Sequence, residues 1–410
     1  MTTSEEPTEV PAKIRLREIA AGAYQAAWDA KARGEKIGWC ASNFPQEIPE
    51  TLGVAVVYPE NQAAAIAAKG GGLEACEHAE GMGYCADLCA YARINFAFAD
   101  LKSSPFQDMP QPDFVLCCNN ICNTMISWYE NLAHELDIPM ILIDVPFTTG
   151  DKAGPETITY MRTQFDEAFT QLSAITGKAF DPERFREVMA ISQRTAKAWL
   201  KAAGYSRYRP SPFSGFDLFN HMAVAVCARG KIEAAEAFEA LCAEFEELAA
   251  QGASGFRGEE RHRILFEGIA CWPHLRATYS ALKDLGINVV STVYAAAFGI
   301  TYDSLDQMME AYAHVPNSIS LDRAANLRID SGRQAGIDGA VIHTNRSCKL
   351  WSGMMPEIER RLRAALEVPT VTFDGDQADP RVFSEAQYLT RVQGLAEIMD
   401  QPTPDGKEAS

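Results

Sequence analysis

The chain has 410 residues, of which 47% are hydrophobic and 22% are charged. A single hydrophobic core rarely grows past roughly 250–300 residues, so this length predicts two or three domains. The formal net charge of -18, with no compensating cluster of Lys and Arg, argues against binding to nucleic acid or to an anionic membrane surface. The acidic N-terminus lacks the apolar segment of a signal peptide, and no apolar run is long enough for a membrane helix. We therefore expect a cytoplasmic protein.

An N-terminal α/β domain is predicted for residues 1–154. Residues 14–35 have helical spacing, and GWCASNFPQEIPETLGVAVVYPE predicts two short strands on either side of a Pro-bounded helix. Further along, DFVLCC and IPMILIDVPF are apolar runs of strand length, separated by the amphipathic segment NTMISWYENLAHELD. This βαβ pattern indicates a parallel sheet of the Rossmann or flavodoxin-like type.

A helical domain is predicted for residues 155–260, because long helical segments follow one another there with almost no β-branched runs. A second parallel α/β domain is predicted for residues 261–400, where HRILFEGIACW, INVVSTVYAAAF, DGAVIHTN and TVTFDG are strand-like runs between helical segments. The Pro-rich tail at 401–410 is expected to be frayed.

Eleven cysteines are many for a cytoplasmic chain. Disulfides are rare in that compartment, so the cysteines indicate either metal or redox chemistry or packing as small hydrophobic side chains. Cys122 lies at a predicted helix start, where backbone N–H groups favour a thiolate, and Cys348 lies at the equivalent strand-to-helix junction of the second domain. Cys85 and Cys89 share the segment GYCADLCAYAR, but the spacing of the cysteines alone leaves both interpretations open.

Three further features each allow two interpretations. Glu60 ends an apolar run, so it is either a desolvated general acid or base or a solvated helix cap. Ser42 is typical of a turn or helix start. FDGDQADPR carries three Asp residues but lacks the later Glu of a calcium loop, and we favour a turn. The chain has neither a phosphate-binding loop for ATP nor the glycine motif of a nicotinamide site.

The chain resembles the 2-hydroxyacyl-CoA dehydratase family over roughly residues 14–400. The resemblance rests on the ordered segments GWCASNFPQE, YPENQAA, DLCAYAR, LCCNNICN, WYENLAHELDIP, GFDLFNHMAVAVCARG, FRGEE, NRSCKL and FDGDQADPR. It is strongest with the α-type subunits of the heterodimeric enzymes that act on 2-hydroxyisocaproyl-CoA, lactoyl-CoA or phenyllactoyl-CoA. Subunits of benzoyl-CoA reductase are more distantly similar.

This resemblance implies a [4Fe–4S] cluster held by Cys89, Cys122 and Cys348, with one iron left at an exchangeable position. Cys40 and Cys85 stand where relatives carry serine, so Cys85 is an alternative to Cys89 as a ligand.

The implied reaction removes water from an (R)-2-hydroxyacyl-CoA through a ketyl radical anion and yields a 2-enoyl-CoA. Glu60 would transfer the proton and Ser42 would hydrogen-bond the leaving hydroxyl group. The implied partners are a second, β-type subunit and a transient, ATP-dependent iron–sulfur activator that delivers one electron.

Two alternatives remain at this level: a subunit of an acyl-CoA or benzoyl-CoA type reductase, which would use two electrons per product, and a non-catalytic cluster protein. The sequence leaves the acyl group open.

Overall fold

The computed structural model describes residues 10–401. The predicted frayed tail therefore lies, except for Gln401, outside the described residues. Within residues 10–401 the chain forms two four-stranded parallel sheets and sixteen α-helices. The predicted α/β class with two parallel sheets is confirmed.

The first sheet has the strand order β2-β1-β3-β4. Its strands are β1 (Gly38–Cys40), β2 (Val56–Val57), β3 (Phe114–Cys118) and β4 (Met140–Ile143). The accompanying helices are α1 (Ala12–Ala32), α2 (Glu47–Thr51), α3 (Pro59–Ala68), α4 (Gly72–Gly81), α5 (Ala90–Leu101) and α6 (Asn123–Glu135). Two short strands around a helix, and a later βαβ unit, thus form where the sequence predicts them.

The middle of the chain is helical and precedes the second sheet. It contains α7 (Pro155–Thr176), α8 (Pro182–Gly204), a 3₁₀ turn (Tyr205–Arg207), α9 (Gly215–Cys227) and α10 (Ile232–Ala250). The second sheet has the order β6-β5-β7-β8, with strands β5 (His262–Glu267), β6 (Ile287–Ser291), β7 (Gly339–Asn345) and β8 (Thr370–Gly375). Its helices are α11 (Leu275–Asp284), α12 (Val293–Ala296), α13 (Leu305–Ala313), α14 (Leu321–Ala335), α15 (Lys349–Leu366) and α16 (Glu385–Met399), with 3₁₀ turns at Trp272–His274 and Pro380–Val382.

In each sheet, successive strands are first added on one side and then on the other. The strand order therefore reverses at one point, between β1 and β3 in the first sheet and between β5 and β7 in the second. Such a switch point opens a crevice beyond the carboxyl ends of the strands, where ligands of open α/β sheets bind. In this chain the loops after β1 and β3 carry Ser42 and Cys122, and the loop after β7 carries Cys348. The topology therefore brings three of the predicted site residues to switch points.

The main hydrophobic core runs through both sheet regions and the helices between them, and a smaller separate cluster packs the second sheet against α14 and α15. The division into three domains at the predicted boundaries therefore stays a prediction. Within residues 10–401, no helix is both long enough and apolar enough to span a membrane.

A fully buried ion pair supports the second sheet. Nε of Arg328 on α14 donates to Oε1 of Glu267 at 2.9 Å, and both side chains are inaccessible to solvent. The other carboxylate oxygen of Glu267 accepts the backbone N–H of Val293, which begins α12. The Arg328 guanidinium also lies 5.0 Å from the ring centroid of Trp351 on α15. A single ion pair thus connects β5, α12, α14 and α15.

Replacing Arg328 with methionine should destabilise the fold by about 3–5 kcal/mol, because Glu267 would remain buried without its partner. Denaturant unfolding of the purified chain measures this effect. Arg333→Met is the matched control, since it removes an exposed ion pair with Asp330 from the same helix and should change stability little. Equal stability of the two variants would contradict the role given to the buried pair.

Candidate functional site

Three cysteines occupy the same position in three different helices. Cys89, Cys122 and Cys348 are the N-cap residues of α5, α6 and α15. The first backbone N–H groups of a helix have no partner within the helix, and the helix dipole places partial positive charge there. Each of these cysteines therefore lies where a thiolate or an anionic group is stabilised.

The three thiols line one cavity of about 90 Å³ together with Ser42 and Glu60. The rest of its wall is largely apolar and includes Ile121, Met125, Trp128, Ile269, Tyr294, Phe298 and Trp351. The cavity thus joins loops of the first sheet to loops of the second. Cys85, the alternative ligand, is exposed and does not line this cavity.

Burial raises the pKa of each of the three thiols, to about 12 for Cys89. The nearby backbone N–H three residues further along each helix, that of Ala92, Met125 or Trp351, opposes part of this rise in pKa. The neighbouring thiols raise the pKa of Cys89 and Cys348 further through like-charge repulsion. Bound iron would supply the positive charge that holds all three as thiolates.

The three thiols can be compared with the ligand arrangement that an iron–sulfur cluster requires. Among residues 10–401, no three His, Cys, Asp or Glu side chains are grouped so that they could hold one metal ion. In an iron–sulfur cluster each thiolate binds a different iron, so the sulfur atoms surround the cluster rather than converge on one point. Three thiols from helix N-cap positions around one cavity fit that requirement.

Ser42 and Glu60 form a buried hydrogen-bonded pair. The backbone N–H and the hydroxyl group of Ser42 both donate to Oε1 of Glu60 at 2.9 Å. The hydroxyl group of Tyr129 donates to Oε2 of Glu60 at 3.1 Å. Ser42 follows β1, Glu60 lies in the first turn of α3 and Tyr129 lies on α6, so three segments hold the carboxyl group. The interpretation of Glu60 as a solvated helix cap is therefore wrong.

The pKa of Glu60 is raised, because burial disfavours the carboxylate more than its hydrogen bonds from Ser42 and Tyr129 favour it. Only 8% of the residue is exposed. A carboxyl group whose pKa lies above its usual range is suited to exchanging protons near neutral pH.

A larger cavity of about 490 Å³ meets the thiol-lined cavity at Ser42 and Glu60. Its wall contains six aromatic side chains, namely Tyr24, Tyr91, Phe219, Trp272, Tyr294 and Phe298. The pair of cavities could accommodate an extended ligand whose reacting end reaches the thiols.

Comparison with known proteins decides the family. Residues 41–399 match the family model described as 2-hydroxyglutaryl-CoA dehydratase, D-component. The chain belongs to this family. The resemblance predicted from the sequence is confirmed.

Named relatives cover almost the whole chain. The (R)-phenyllactyl-CoA dehydratase alpha subunit of Clostridium sporogenes is 60% identical over 97% of both chains. The (R)-2-hydroxyisocaproyl-CoA dehydratase alpha subunit of Clostridioides difficile is 47% identical over 95% of this chain and 96% of that one. One subunit of the benzoyl-CoA reductase of Thauera aromatica is 25% identical over 97% of both.

Sequence reasoning missed two polar contributors to this dehydratase-family site. Tyr129 lies in a segment whose helical periodicity predicts only a buried face, and nothing in that pattern indicates a bond to Glu60. Gln377 lies in FDGDQADPR, which we interpreted as a turn, yet its amide reaches Cys89. The seven other cysteines apart from Cys85 are buried, as expected for packing side chains: Cys40, Cys76, Cys117, Cys118, Cys227, Cys242 and Cys271.

Glu60→Gln should stabilise the apo-protein at neutral and alkaline pH. Because the pKa of Glu60 is raised in the folded protein, ionisation of this carboxyl group lowers the stability of the fold as the pH rises through the folded-state pKa. A neutral amide does not ionise and avoids this loss. The gain in melting temperature over the wild type should therefore be absent below the ordinary glutamate pKa of about 4.3 and grow above it. Glu74→Gln, at an exposed position in the first turn of α4, is the control and should show no such gain. A gain independent of pH would contradict the assignment.

Proposed function

We propose that this chain is the α-type subunit of a 2-hydroxyacyl-CoA dehydratase, which converts an (R)-2-hydroxyacyl-CoA to a 2-enoyl-CoA and water. The observation that carries the proposal is one cavity lined by three thiols from helix N-cap positions and by the Ser42–Glu60 pair. Relatives named as alpha subunits of such dehydratases support it.

Cys89, Cys122 and Cys348 would hold a [4Fe–4S] cluster. When bound, such a cluster supplies one-electron chemistry and, with three protein ligands, an iron with an exchangeable position. One-electron chemistry is needed because the β-hydrogen of a saturated thioester is barely acidic. An electron supplied by the activator would make a ketyl radical anion of the substrate, which would expel the α-hydroxyl group as hydroxide and so make the β-hydrogen much more acidic. After the β-proton is lost the electron would be given back, so that the net reaction is redox-neutral.

The chain's own residues would handle the proton. Oε1 of Glu60 is held by two donors from Ser42, so the carboxylate faces the cavity in a fixed orientation. The proposed role of Glu60 is to exchange the substrate proton, and that of Ser42 is to hydrogen-bond the leaving hydroxyl group. Tyr129 fixes the second carboxylate oxygen from the core side. The apolar wall excludes water that would otherwise compete for the proton.

Replacing Cys89, Cys122 or Cys348 individually with serine should remove the iron that this chain holds, about four atoms in one cluster, from the anaerobically purified complex. Cys85→Ser is the matched control from the same segment as Cys89, and should keep its iron because Cys85 does not line the cavity. Glu60→Gln should keep the iron and lose turnover by about 100-fold or more, as expected for a proton-transfer group. Iron and sulfide analysis, EPR and product formation measure these effects.

Full iron retention in Cys89→Ser together with loss in Cys85→Ser would overturn the ligand assignment. A wild-type complex that binds no iron under strict anaerobiosis would overturn the cluster itself and favour the non-catalytic alternative.

We also infer that the acyl side chain is uncharged and aromatic. Among the described residues that line the two cavities, the only cation is Lys69, and its ammonium group is already bound to the Phe106 carbonyl at 2.7 Å and to Gln107 at 2.9 Å. A free carboxylate on the acyl chain would find no other cation among these lining residues, which makes its burial costly. Aromatic side chains such as Phe219, Trp272 and Phe298 suit a phenyl ring.

The kcat/KM for (R)-phenyllactyl-CoA should exceed that for (R)-2-hydroxyglutaryl-CoA by about 100-fold or more, since an unpaired buried carboxylate costs several kcal/mol. Phe298→Leu should shift the preference towards (R)-2-hydroxyisocaproyl-CoA. Phe180→Leu, an exposed aromatic position outside both cavities, should leave the preference unchanged. Comparable rates with the dicarboxylic substrate would contradict an apolar acyl site.

The proposed partners are a β-type subunit and a transient ATP-dependent iron–sulfur activator. The proposal of a β-type subunit is supported by relatives named as alpha subunits. The reductase alternative has weaker support, because the relative named as part of a benzoyl-CoA reductase is only 25% identical.

A further inference from the structure

The loop after β8 reaches the thiol-lined cavity from the second sheet. It contains Asp376 and Gln377, which are 1% and 0% exposed. The side-chain Nε2 of Gln377 lies 3.5 Å from Sγ of Cys89 and 2.9 Å from Oγ of Ser347. This amide is therefore in direct contact with one proposed ligand and with the residue that precedes another.

Ser347 connects the two ligand segments. Its Oγ accepts the backbone N–H of Ala90 at 2.9 Å, and Ala90 directly follows Cys89. Ser347 itself directly precedes Cys348. The Gln377 amide and the Ser347 hydroxyl group thus form a short bridge between the N-terminus of α5 and the N-terminus of α15.

The loop is fixed so that Gln377 has little freedom to leave this position. Asp376 accepts the backbone N–H groups of Ser347, Ala378 and Asp379 at 2.8 to 3.0 Å. The backbone carbonyl of Gln377 accepts the backbone N–H of Trp272 at 3.2 Å. The turn that FDGDQADPR forms is therefore a rigid support for one amide group.

We propose that Gln377 is a positioning residue for the iron–sulfur cluster, in which its amide N–H holds the Cys89 sulfur and raises the cluster's reduction potential. The proposal rests on the proposed function, because it requires Cys89 to be a cluster ligand. A ligating thiolate accepts hydrogen bonds and cannot donate one, so Nε2 and not Oε1 must face the sulfur.

The expected direction of the effect follows from electrostatics. Reduction adds negative charge to the cluster and its sulfur ligands, and an N–H donor stabilises that charge. Hydrogen bonds to the sulfur atoms are among the factors that set the potentials of such clusters. The oxygen atom of the same amide lowers the stability of the fold, because Oε1 of Gln377 is buried and has no hydrogen-bond partner among the described residues. An amide retained at this cost is consistent with a role for its N–H group.

The test is an EPR-monitored redox titration of the anaerobically purified complex, with the partner subunit wild type throughout. Gln377→Met keeps the shape of the side chain and removes the donor, so the midpoint potential should become more negative while the iron content stays at four per chain, the number in one cluster. Gln377→Glu places an acceptor beside the sulfur and should shift the potential further. A tenfold change in the one-electron equilibrium corresponds to about 59 mV.

Gln62→Met is the matched control. Gln62 is equally buried, and its Oε1 also has no hydrogen-bond partner within residues 10–401. It lines neither cavity, so the potential should stay at the wild-type value. An unchanged potential in both Gln377 variants would overturn the proposal, and so would loss of iron from both, which would indicate a purely structural role. Absence of iron from the wild-type complex would instead contradict the proposed function. Failure of the proposed function and failure of the Gln377 proposal are therefore distinguishable.

Discussion

The site depends on the meeting of three helix N-termini at one cavity. Each of α5, α6 and α15 begins there with a cysteine at its N-cap position, beside the partial positive charge of the helix N-terminus. Thiolates in the wall of this cavity would repel one another and lose hydration, and both effects raise the pKa of Cys89 and of Cys348. The helix ends offset part of that cost before any iron binds. The parallel sheets, the buried ion pair beneath α15 and the loops that follow the strands all serve to keep these helix ends together.

The sequence indicates those parts of the site that follow from local pattern. Cys122 and Cys348 stand between a strand-like run and an amphipathic segment, so their place at a helix start is predictable from periodicity. Cys89 and Cys85 share one segment, and only the fold separates the cavity-lining thiol from the exposed one. The roles of all these residues came from the family resemblance and not from spacing.

The remaining parts depend on contacts between segments far apart in the chain. Gln377 lies 288 residues from Cys89, and Tyr129 lies 69 residues from Glu60. A sequence with three Asp residues indicates a turn, but it does not indicate which distant side chains that turn contacts. The predicted domain boundaries stay a prediction, because the main hydrophobic core continues across them.

The bridge through Ser347 has a consequence for how the two halves of the molecule stay together. Cys89 belongs to the first sheet region, whereas Ser347, Cys348 and Gln377 belong to the second, so a group held by these residues binds across their interface. Binding free energy at such a site adds to the cohesion of the two halves. The contact between the two sheet regions is consequently expected to loosen when such a group is removed, before either region unfolds.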